Sequence, residues 1–341
     1  MDLLRMFPPG VDECFSSWIY RCTVKFPWVK FSLEDVGVKG YFDEDYGHFD
    51  EDPDFDIGSD YVQEVLSRIS LAERDCISFF EMRPGRLLSW RGRIFYCQEC
   101  ITNDVECHML PCWRKAWCSV VTVFCPIHKR KLSRIFHNCH PHSKGWQAFH
   151  DIANHPYNQF IGSRSYDLWE SEDVQKVICR LSMRVAEWYS SDHKAKVDVT
   201  GDDTASTELF DLILELLTQA PSRIHPGGVS WLFTFAAKVR LDRYGKCYSW
   251  LLERGVERVD INQRICGVIL TGKILGILSD EEVGELNCVP HDLFPYFAVS
   301  NAEIGRVCAG SIGNYDYLQF RVSQLPCSSQ KRFHDFLSGL S

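Results

Sequence analysis

Hydrophobic residues follow a helical period near the start of the chain. Four of them repeat every three or four positions: Phe15, Trp18, Ile19 and Cys22. This spacing predicts a helix with Asp12 as its N-cap, Glu13 in its first turn and an end before Pro27. A second helix, capped by Ser59 or Asp60, is predicted from another apolar face: Val62, Val65, Leu66 and Ile69.

The same period returns in the second half of the chain. It predicts helices over 171–189, 207–219, 230–254, 261–277 and 279–300. The polar residues 190–205 are typical of a linker, and Gly227 with Gly228 marks a turn.

Between about Met82 and His142 the helical period is lost, and Gly, Pro, Cys and Trp become frequent. This composition is expected where a bound metal, rather than a large core, fixes the chain. No alternating strands or internal repeats are visible, so the predicted fold is mainly α with a small zinc-ribbon segment. The predicted domains are an N-terminal helical domain with an acidic loop (1–81), the zinc ribbon (82–145) and a C-terminal helical domain (146–341).

Two ligand pairs stand inside the middle segment. Cys97 and Cys100 form a C-x2-C pair, Cys125 and His128 form a C-x2-H pair, and 24 residues separate the two pairs. A two-residue gap lets both members of a pair face one ion, and three thiolates with one imidazole suit tetrahedral Zn²⁺. Four protein ligands leave no open position for a catalytic water, so the zinc is predicted to be structural.

Other cysteines and histidines nearby could supply a rival ligand or a second site. They form no second clean pair: Cys107, His108, Cys112, Cys118, Cys139, His140 and His142. If zinc organises this stretch, chelation is expected to unfold it, because binding and folding then share one free energy.

The 16 cysteines of this 341-residue chain raise the question of cellular compartment. The opening residues, MDLLRMFPPG, are not a secretory signal, and no stretch approaches the roughly 18 apolar residues that span a bilayer. We therefore expect a soluble, cytoplasmic protein without membrane association, whose cysteines are thiols or metal ligands.

Charge is distributed unevenly around a net value of −9. Residues 34–64 hold twelve acidic residues against Lys39, whereas residues 83–145 hold eleven basic residues against three acidic ones. The acidic total disfavours a tight, free-standing DNA binder. A basic set in the middle segment either faces RNA or DNA phosphates or is a solvated surface: Arg91, Arg93, Arg114, Lys115, Lys129, Arg130, Lys131 and Arg134.

The acidic run 43–56 is predicted to be a solvated loop. Asp52, Asp54 and Asp56 alternate as calcium ligands do, but glycine and glutamate are absent from the positions that an EF-hand loop requires. Calcium binding is therefore not predicted.

No catalytic set emerges from the sequence. The clustered acids lie in a loop, Cys125 and His128 are better used as metal ligands, and no P-loop, GxSxG or Rossmann fingerprint is present. The chain is predicted not to be an enzyme. Trp18 and Trp117 are interpreted as core residues and Arg21 as a surface arginine, with partner contacts as the alternative.

Three stretches resemble the TniQ family, the target-selection adaptors of heteromeric DNA transposition systems. The family's N-terminal signature D-E-S-L-x-S-W-x-x-R is matched by 12–21, DECFSSWIYR. An aromatic residue before C-x-x-C is matched by Phe95 and Tyr96, and a tryptophan followed by C-P-x-H-x-x-x-L is matched by Trp117 and by 125–132.

The third stretch is similar to the longer TniQ proteins of CRISPR-associated transposons. In residues 279–293, Ser279 with Glu282 forms a capping box, Asn287 occupies the position of a left-handed turn residue, and Pro290 suits the first turn of a following helix. This pattern predicts a helix-turn-helix near 279–300. Residues 315–325, YDYLQFRVSQL, also resemble the family segment that follows that motif.

The resemblance implies an adaptor that sits on an RNA-guided effector complex, Cascade with its crRNA, and recruits the TnsC ATPase and the transposase for DNA integration. It also implies a homodimer, with target DNA contacted indirectly or through the basic patch. Longer relatives carry a second cysteine-pair ribbon; here only Cys139 and a few histidines stand at that place.

Two other functions remain open from the sequence. One is a sequence-specific DNA-binding protein that chooses an attachment site through the helix-turn-helix. Residues 289–299 contain no Lys or Arg for reading base edges, which weighs against it. The other is a stand-alone regulatory or phage-defence zinc protein.

Overall fold

The computed structural model describes residues 7–26, 52, 54–69, 79–80, 85–135, 143–154, 172–198, 204–220, 227–232, 252, 255–257, 259–288, 300–309, 315–324, 327, 330 and 333–340. Within these residues the protein is mainly helical, as predicted, and contains one two-stranded antiparallel sheet. The chain forms two compact units: 1–119 with 132–159, and 120–131 with 160–341. The domain bounds given above stay a prediction.

The first unit contains four helices and the sheet in its described part. They are α1 (Phe15–Lys25), α2 (Asp60–Ile69), β1 (Phe95–Tyr96), α3 (Gln98–Glu106), β2 (Ser133–Arg134) and α4 (Lys144–Asn154). In the sheet, Phe95 pairs with Arg134 and Tyr96 with Ser133. The apolar faces of α1 and α2 form one core together with Phe80, and α3 packs against α4.

The start of α1 differs from its prediction. The helix ends at Lys25, before Pro27 as expected, but its N-cap is Cys14. Asp12 instead has a left-handed backbone, with φ of 57°, and its carboxylate accepts a hydrogen bond from Ala116 N at 2.9 Å. The cap of α2 is confirmed, since Ser59 Oγ accepts a hydrogen bond from Val62 N at 3.3 Å.

The second unit is built from helices in its described part. They are α5 (Glu172–Asp198), α6 (Thr204–Thr218), α7 (Val229–Leu232), α8 (Ile261–Ile274), α9 (Asp280–Gly284), α10 (Asn301–Ala309), α11 (Tyr315–Ser323) and α12 (His334–Leu340). Residues 263–274 of α8 are all buried because α5, α6 and α7 pack around this helix. Gly267 allows the close approach, since a Cβ there would lie 2.8 Å from the Thr218 side chain.

The predicted linker over 190–205 is wrong for its first part. Helix α5 continues to Asp198, because no glycine or proline interrupts the chain before Gly201 and the added residues include lysines and alanine. Most of the helix predicted over 230–254 lies outside the described residues.

The proposed helix-turn-helix is described only in its first half. The capping box is confirmed: Ser279 Oγ accepts from Glu282 N, and the Glu282 carboxylate accepts from Ser279 N. Asn287 is not a left-handed residue; it lies in a 3-10 turn, Glu285–Cys288, that continues α9. The expected second helix, over 289–299, lies outside the described residues.

Candidate metal centre

The first ligand pair is positioned by the junction of a strand and a helix. Strand β1 leads directly into Cys97, which is the N-cap of α3, and Cys100 lies in the first turn of that helix. A turn of helix brings the two side chains to the same side of the chain. Both cysteines are buried.

The second pair lies in a tight hairpin, residues 124–131, here called the metal hairpin. It is closed by a bridge between Phe124 and Lys131 and by a hydrogen bond from Cys125 N to Arg130 O at 2.8 Å. Lys129, with φ of 56°, makes the turn, and its N–H donates to Cys125 O at 2.9 Å. The His128 N–H donates to Cys125 Sγ at 3.5 Å.

The two pairs converge on one point. The ligand atoms of Cys97, Cys100, Cys125 and His128 all lie within 4.8 Å of one another. Cys125 Sγ and His128 Nδ1 are 3.7 Å apart, close to the sulfur–nitrogen edge of about 3.6 Å expected for a tetrahedron with metal–sulfur bonds of about 2.3 Å and metal–nitrogen bonds of about 2.1 Å. The donor set and the spacing fit a four-coordinate metal ion, and the cluster that the sequence predicted is brought together.

No second group of three or more such ligands forms within the part of the chain that the structure describes. Cys107 is exposed, whereas Cys112 and Cys118 are buried. Burial, together with Glu13, raises the pKa of the Cys112 thiol, which keeps it protonated. The Sγ atoms of Cys14 and Cys118, which are both buried thiols, lie 3.7 Å apart. Cys139, His140 and His142 lie outside the described residues.

A buried network centred on Glu13 holds α1 in place. Glu13 Oε2 accepts from Gly10 N at 2.7 Å and pairs with Arg21 Nη1 at 2.8 Å, while Oε1 accepts from Ser17 Oγ at 2.8 Å. The exposed fractions of the two charged side chains are 3% for Arg21 and 0% for Glu13. The interpretation of Arg21 as a surface residue is therefore wrong, because its charge is neutralised inside the unit.

The same network reaches the segment that precedes the metal hairpin. Ser17 Oγ accepts from Trp113 N at 2.9 Å, and Cys14 N donates to Trp113 O at 2.9 Å. Arg21 Nη1 also donates to Cys112 Sγ at 3.2 Å. Trp18 and Trp117 are fully buried, as predicted.

Asp12 adds a second link to this segment. Besides accepting from Ala116 N, it accepts at its backbone oxygen from Lys115 N at 2.7 Å. Burial raises the pKa of its carboxyl, and the Ala116 hydrogen bond opposes that rise. Every charged residue of the N-terminal signature thus has a partner in the structure.

A second buried network corrects the prediction of a solvated acidic loop for two of its residues, Asp52 and Asp54. Asp56 is exposed, and residues 43–51 and 53 lie outside the described residues. Arg93 pairs with both Asp52 and Asp54, the latter at 3.3 Å, and donates from Nε to Leu88 O at 2.9 Å. Asp54 also accepts from Ser16 N at 2.9 Å. These two acids of the described residues are therefore ion-paired rather than solvated, because a buried arginine requires neutralising partners.

The basic set divides into buried and exposed members. Arg93 is buried, Arg114 pairs with Asp104, and Lys115 Nζ donates to Phe79 O at 2.8 Å, so these three do not face phosphates. The exposed members are Lys129, Arg130 and Arg134, with Lys131 half-buried. The Arg91 side chain lies outside the described residues. The charge count includes Asp104 among the three acidic residues of 83–145, but nothing in it indicates that Asp104 pairs with Arg114, ten residues further on.

Comparisons with protein-family models, with curated proteins and with solved structures find no match. In the described part of the chain, no helix is both long enough and apolar enough to cross a bilayer.

Proposed function

We propose that the protein is a non-catalytic adaptor of the TniQ type, which connects a Cascade effector complex and its crRNA to the TnsC ATPase and the transposase. The observation that carries the proposal is the network around Glu13. The residues that carry the N-terminal resemblance bind one another and the segment before the metal hairpin. A signature with this internal role is what a shared fold would preserve, so it supports family membership.

The ion is proposed to be Zn²⁺ in a structural role. Three thiolates and one imidazole within 4.8 Å suit a borderline-soft ion that has no preference beyond tetrahedral geometry. With all four positions taken by protein, the ion would supply rigidity rather than an activated water. This supports a scaffold for partner proteins rather than an enzyme.

The partner surfaces follow from what is exposed. The buried pairs leave Lys129, Arg130 and Arg134 as the members of the basic set that reach solvent. They are the residues proposed to contact target DNA that Cascade has already positioned, with the adaptor acting as a homodimer.

The test is affinity purification of the full chain co-expressed with a Cascade-type effector and TnsC. The wild-type chain is expected to retain both partners. Cys125→Ser is expected to lose them, because it removes a metal ligand, whereas Cys327→Ser, at an exposed cysteine, should retain them. If the wild-type chain retains neither an effector nor the ATPase, the adaptor proposal is wrong. A specific shift of DNA by the purified protein alone would favour direct site reading instead.

A further inference from the structure

An apolar patch lies on the surface of the first unit, where the end of α3 meets the start of α4. It consists of Met109, Leu110, Trp146 and Phe149 and is here called the α3–α4 patch. Met109 is 40% exposed and Trp146 is 46% exposed, while Leu110 and Phe149 are half-buried. A single exposed apolar residue is common, but a contiguous apolar patch marks a binding surface.

Close backbone packing brings the two halves of the patch together. A Cβ at Gly145 would lie 2.6 Å from Pro111 O, so α4 begins directly against the residue that follows Leu110. Trp146 is the next residue after Gly145, and its ring centroid lies 5.9 Å from that of Phe149, one turn further along the helix. Leu110 and Trp146 are thus each one residue away from the same contact.

The turn that ends α3 keeps Met109 at the surface. Met109 N donates to Asp104 O at 2.8 Å, and His108 N donates to Val105 O at 2.9 Å. These are the two hydrogen bonds of a Schellman motif, in which the side chain at the position of Met109 frequently packs on the one at the position of Asp104. Here Asp104 pairs with Arg114 instead, and the Met109 side chain stays partly in solvent.

The charge beside the patch is negative. Glu106 is exposed in the last turn of α3, three residues before Met109, and no basic residue is present in that turn. Its carboxylate adds to the partial negative charge of a helix C-terminus, where a cation is stabilising. Residues 98–113 and 143–154, all of them described, contain one Lys or Arg; it is Lys144, which is buried and donates to Trp90 O at 2.6 Å.

Two residues of this turn are poor choices for stability alone. His108 has a φ of 58° at a position where the Schellman motif favours glycine. Glu106 opposes the helix dipole, whereas a lysine or arginine there would be stabilising. Residues that break such local preferences are concentrated at functional sites. This observation does not depend on exposure, yet it selects residues adjacent to the same patch.

We propose that the α3–α4 patch binds a cationic amphipathic helix of a partner protein. Large apolar side chains on one face of that helix would pack on Trp146 and Met109, and a lysine or arginine beside them would pair with Glu106. Tryptophan and methionine are enriched in protein interfaces, and tryptophan is a frequent hot-spot residue. The inference names the chemistry of one partner of the proposed adaptor, and it rests on that function in taking the partner to be a protein.

RNA and a second copy of the chain fit the patch less well. A base would stack on Trp146, but the phosphates of a single strand require a cationic track, and the exposed charge here is the carboxylate of Glu106. A twofold dimer through the patch would bring the same carboxylate from each copy to one interface. A cationic helix, in contrast, gains from Glu106 and from the apolar side chains together.

The test is fluorescence anisotropy with the purified full chain and a fluorescein-labelled helical peptide of about 18 residues, with leucines on one face and lysines on the other. Saturable binding is expected, with a dissociation constant of about 1–100 μM. A peptide of the same composition without an apolar face should bind at least about tenfold more weakly. This peptide measures general attraction to the net charge of −9. Neither Cascade nor TnsC is present, so failure here is distinguishable from failure of the co-purification test.

The apolar contact is tested at Trp146. Trp146→Ala should weaken binding of the amphipathic peptide at least about tenfold, and Trp146→Phe should restore most of the lost affinity. The control is Phe320→Ala, at an exposed aromatic residue of the second unit, which should stay within about twofold of wild type.

The charge contact is tested at Glu106. Glu106→Lys should weaken binding about three- to tenfold, while the melting temperature should not fall, because the change places a cation at the C-terminus of α3. Lost binding is thereby separated from lost folding. Glu208→Lys makes the same change in net charge at an exposed position of α6 and should stay within about twofold of wild type.

Four results would overturn the proposal. The first is equal affinity for the amphipathic peptide and its counterpart without an apolar face, or no saturable binding to either. The second is unchanged affinity in Trp146→Ala. The third is binding of an oligouridine that Trp146→Ala abolishes, which would assign the patch to RNA. The fourth is a dimer, measured by light scattering, that Trp146→Ala dissociates, which would assign the patch to a second copy of the chain.

Discussion

The segment around the metal ligands, residues 85–135, and the helices α5, α6 and α8 differ in what holds them together. The segment has one nine-residue helix and strands of two residues, and its interior contains Arg93, Asp104 and Lys115. The helices bury mainly aliphatic side chains, and α8 is buried from Gln263 to Ile274, a stretch that also includes Arg264 and Lys273.

This difference indicates two sources of folding free energy. In the helices, apolar area removed from water dominates. The metal segment also buries apolar side chains, among them Trp113, Trp117 and Val120. The four residues that could bind a metal ion and the paired buried charges add to that burial, and a buried charge is tolerated only while its partner is present. Perturbations should therefore separate the two regions.

Metal removal should have the largest effect, and only on the metal segment. Structural zinc sites in small domains contribute roughly 10–16 kcal/mol of apparent binding free energy at neutral pH. A strong chelator is expected to expose Trp113 and Trp117, which are both buried, while α8 keeps its protection. Hydrogen-exchange mass spectrometry measures the protection of the metal segment and of α8 with and without the chelator. Equal loss of protection in the two regions would remove the distinction.

Breaking the buried pair of α1 should have the next largest effect. Glu13→Gln leaves the Arg21 charge buried without its partner and is expected to cost about 3–5 kcal/mol of the free energy of unfolding. Urea denaturation followed by tryptophan fluorescence measures this. The matched control is Glu64→Gln, which removes an exposed pair with Arg68 and should cost less than about 1 kcal/mol. Similar costs for the two changes would contradict the role given to the network.

A cavity in α8 tests the helical side of the comparison. Leu270 is fully buried. Leu270→Ala is expected to lower the free energy of unfolding by about 2–5 kcal/mol. The cost should be the same with and without chelator, because it depends on apolar packing. Phe320→Ala, at a residue that is 60% exposed, is the control and should stay within about 0.5 kcal/mol. A chelator-dependent cost of Leu270→Ala would contradict independent stabilisation.

The smallest effect is expected at the cap of α9. Ser279→Ala is expected to lower the free energy of unfolding by about 1 kcal/mol. The control, Ser338→Ala on the exposed face of α12, is expected to lower it less. The Ser279 N–H lowers the pKa of the Glu282 carboxyl below its ordinary 4.5. That carboxylate therefore stabilises the cap above pH 4.5, and its contribution is lost as pH falls through the lowered pKa. Thermal melts of the wild type and of Glu282→Gln across this range should show the advantage of the wild type over this variant shrinking only at the acidic end.

Local patterns are sufficient for much of the fold and for the cluster that could hold a metal ion. The spacing of Cys97, Cys100, Cys125 and His128 predicts a metal site by itself, because a two-residue gap lets both members of a pair bind one ion. The faces of α1 and α2 and the caps at Ser59 and Ser279 were likewise visible within a few residues. Each of these features depends on neighbours along the chain.

Features that depend on distant partners were not predictable. The local excess of basic residues predicts that Arg93 belongs to a basic surface. Its carboxylate partner Asp52, however, lies 41 residues away in the sequence. The sequence predicts a surface position for Arg21, because no neighbouring residue indicates that Glu13 is buried beside it. The sequence predicts Asp12 as an N-cap, but its carboxylate accepts a hydrogen bond from Ala116 N, 104 residues away. Charge counts along a sequence cannot reveal which charges fold together.

The most direct test of this account is the metal content of the purified protein, measured by inductively coupled plasma mass spectrometry. One zinc ion per chain is expected for the wild type and for Cys107→Ser, at an exposed cysteine, with a strong reduction for Cys97→Ser. A folded wild-type protein without zinc, or a Cys97→Ser variant with full zinc content, would contradict the assignment of the four ligands.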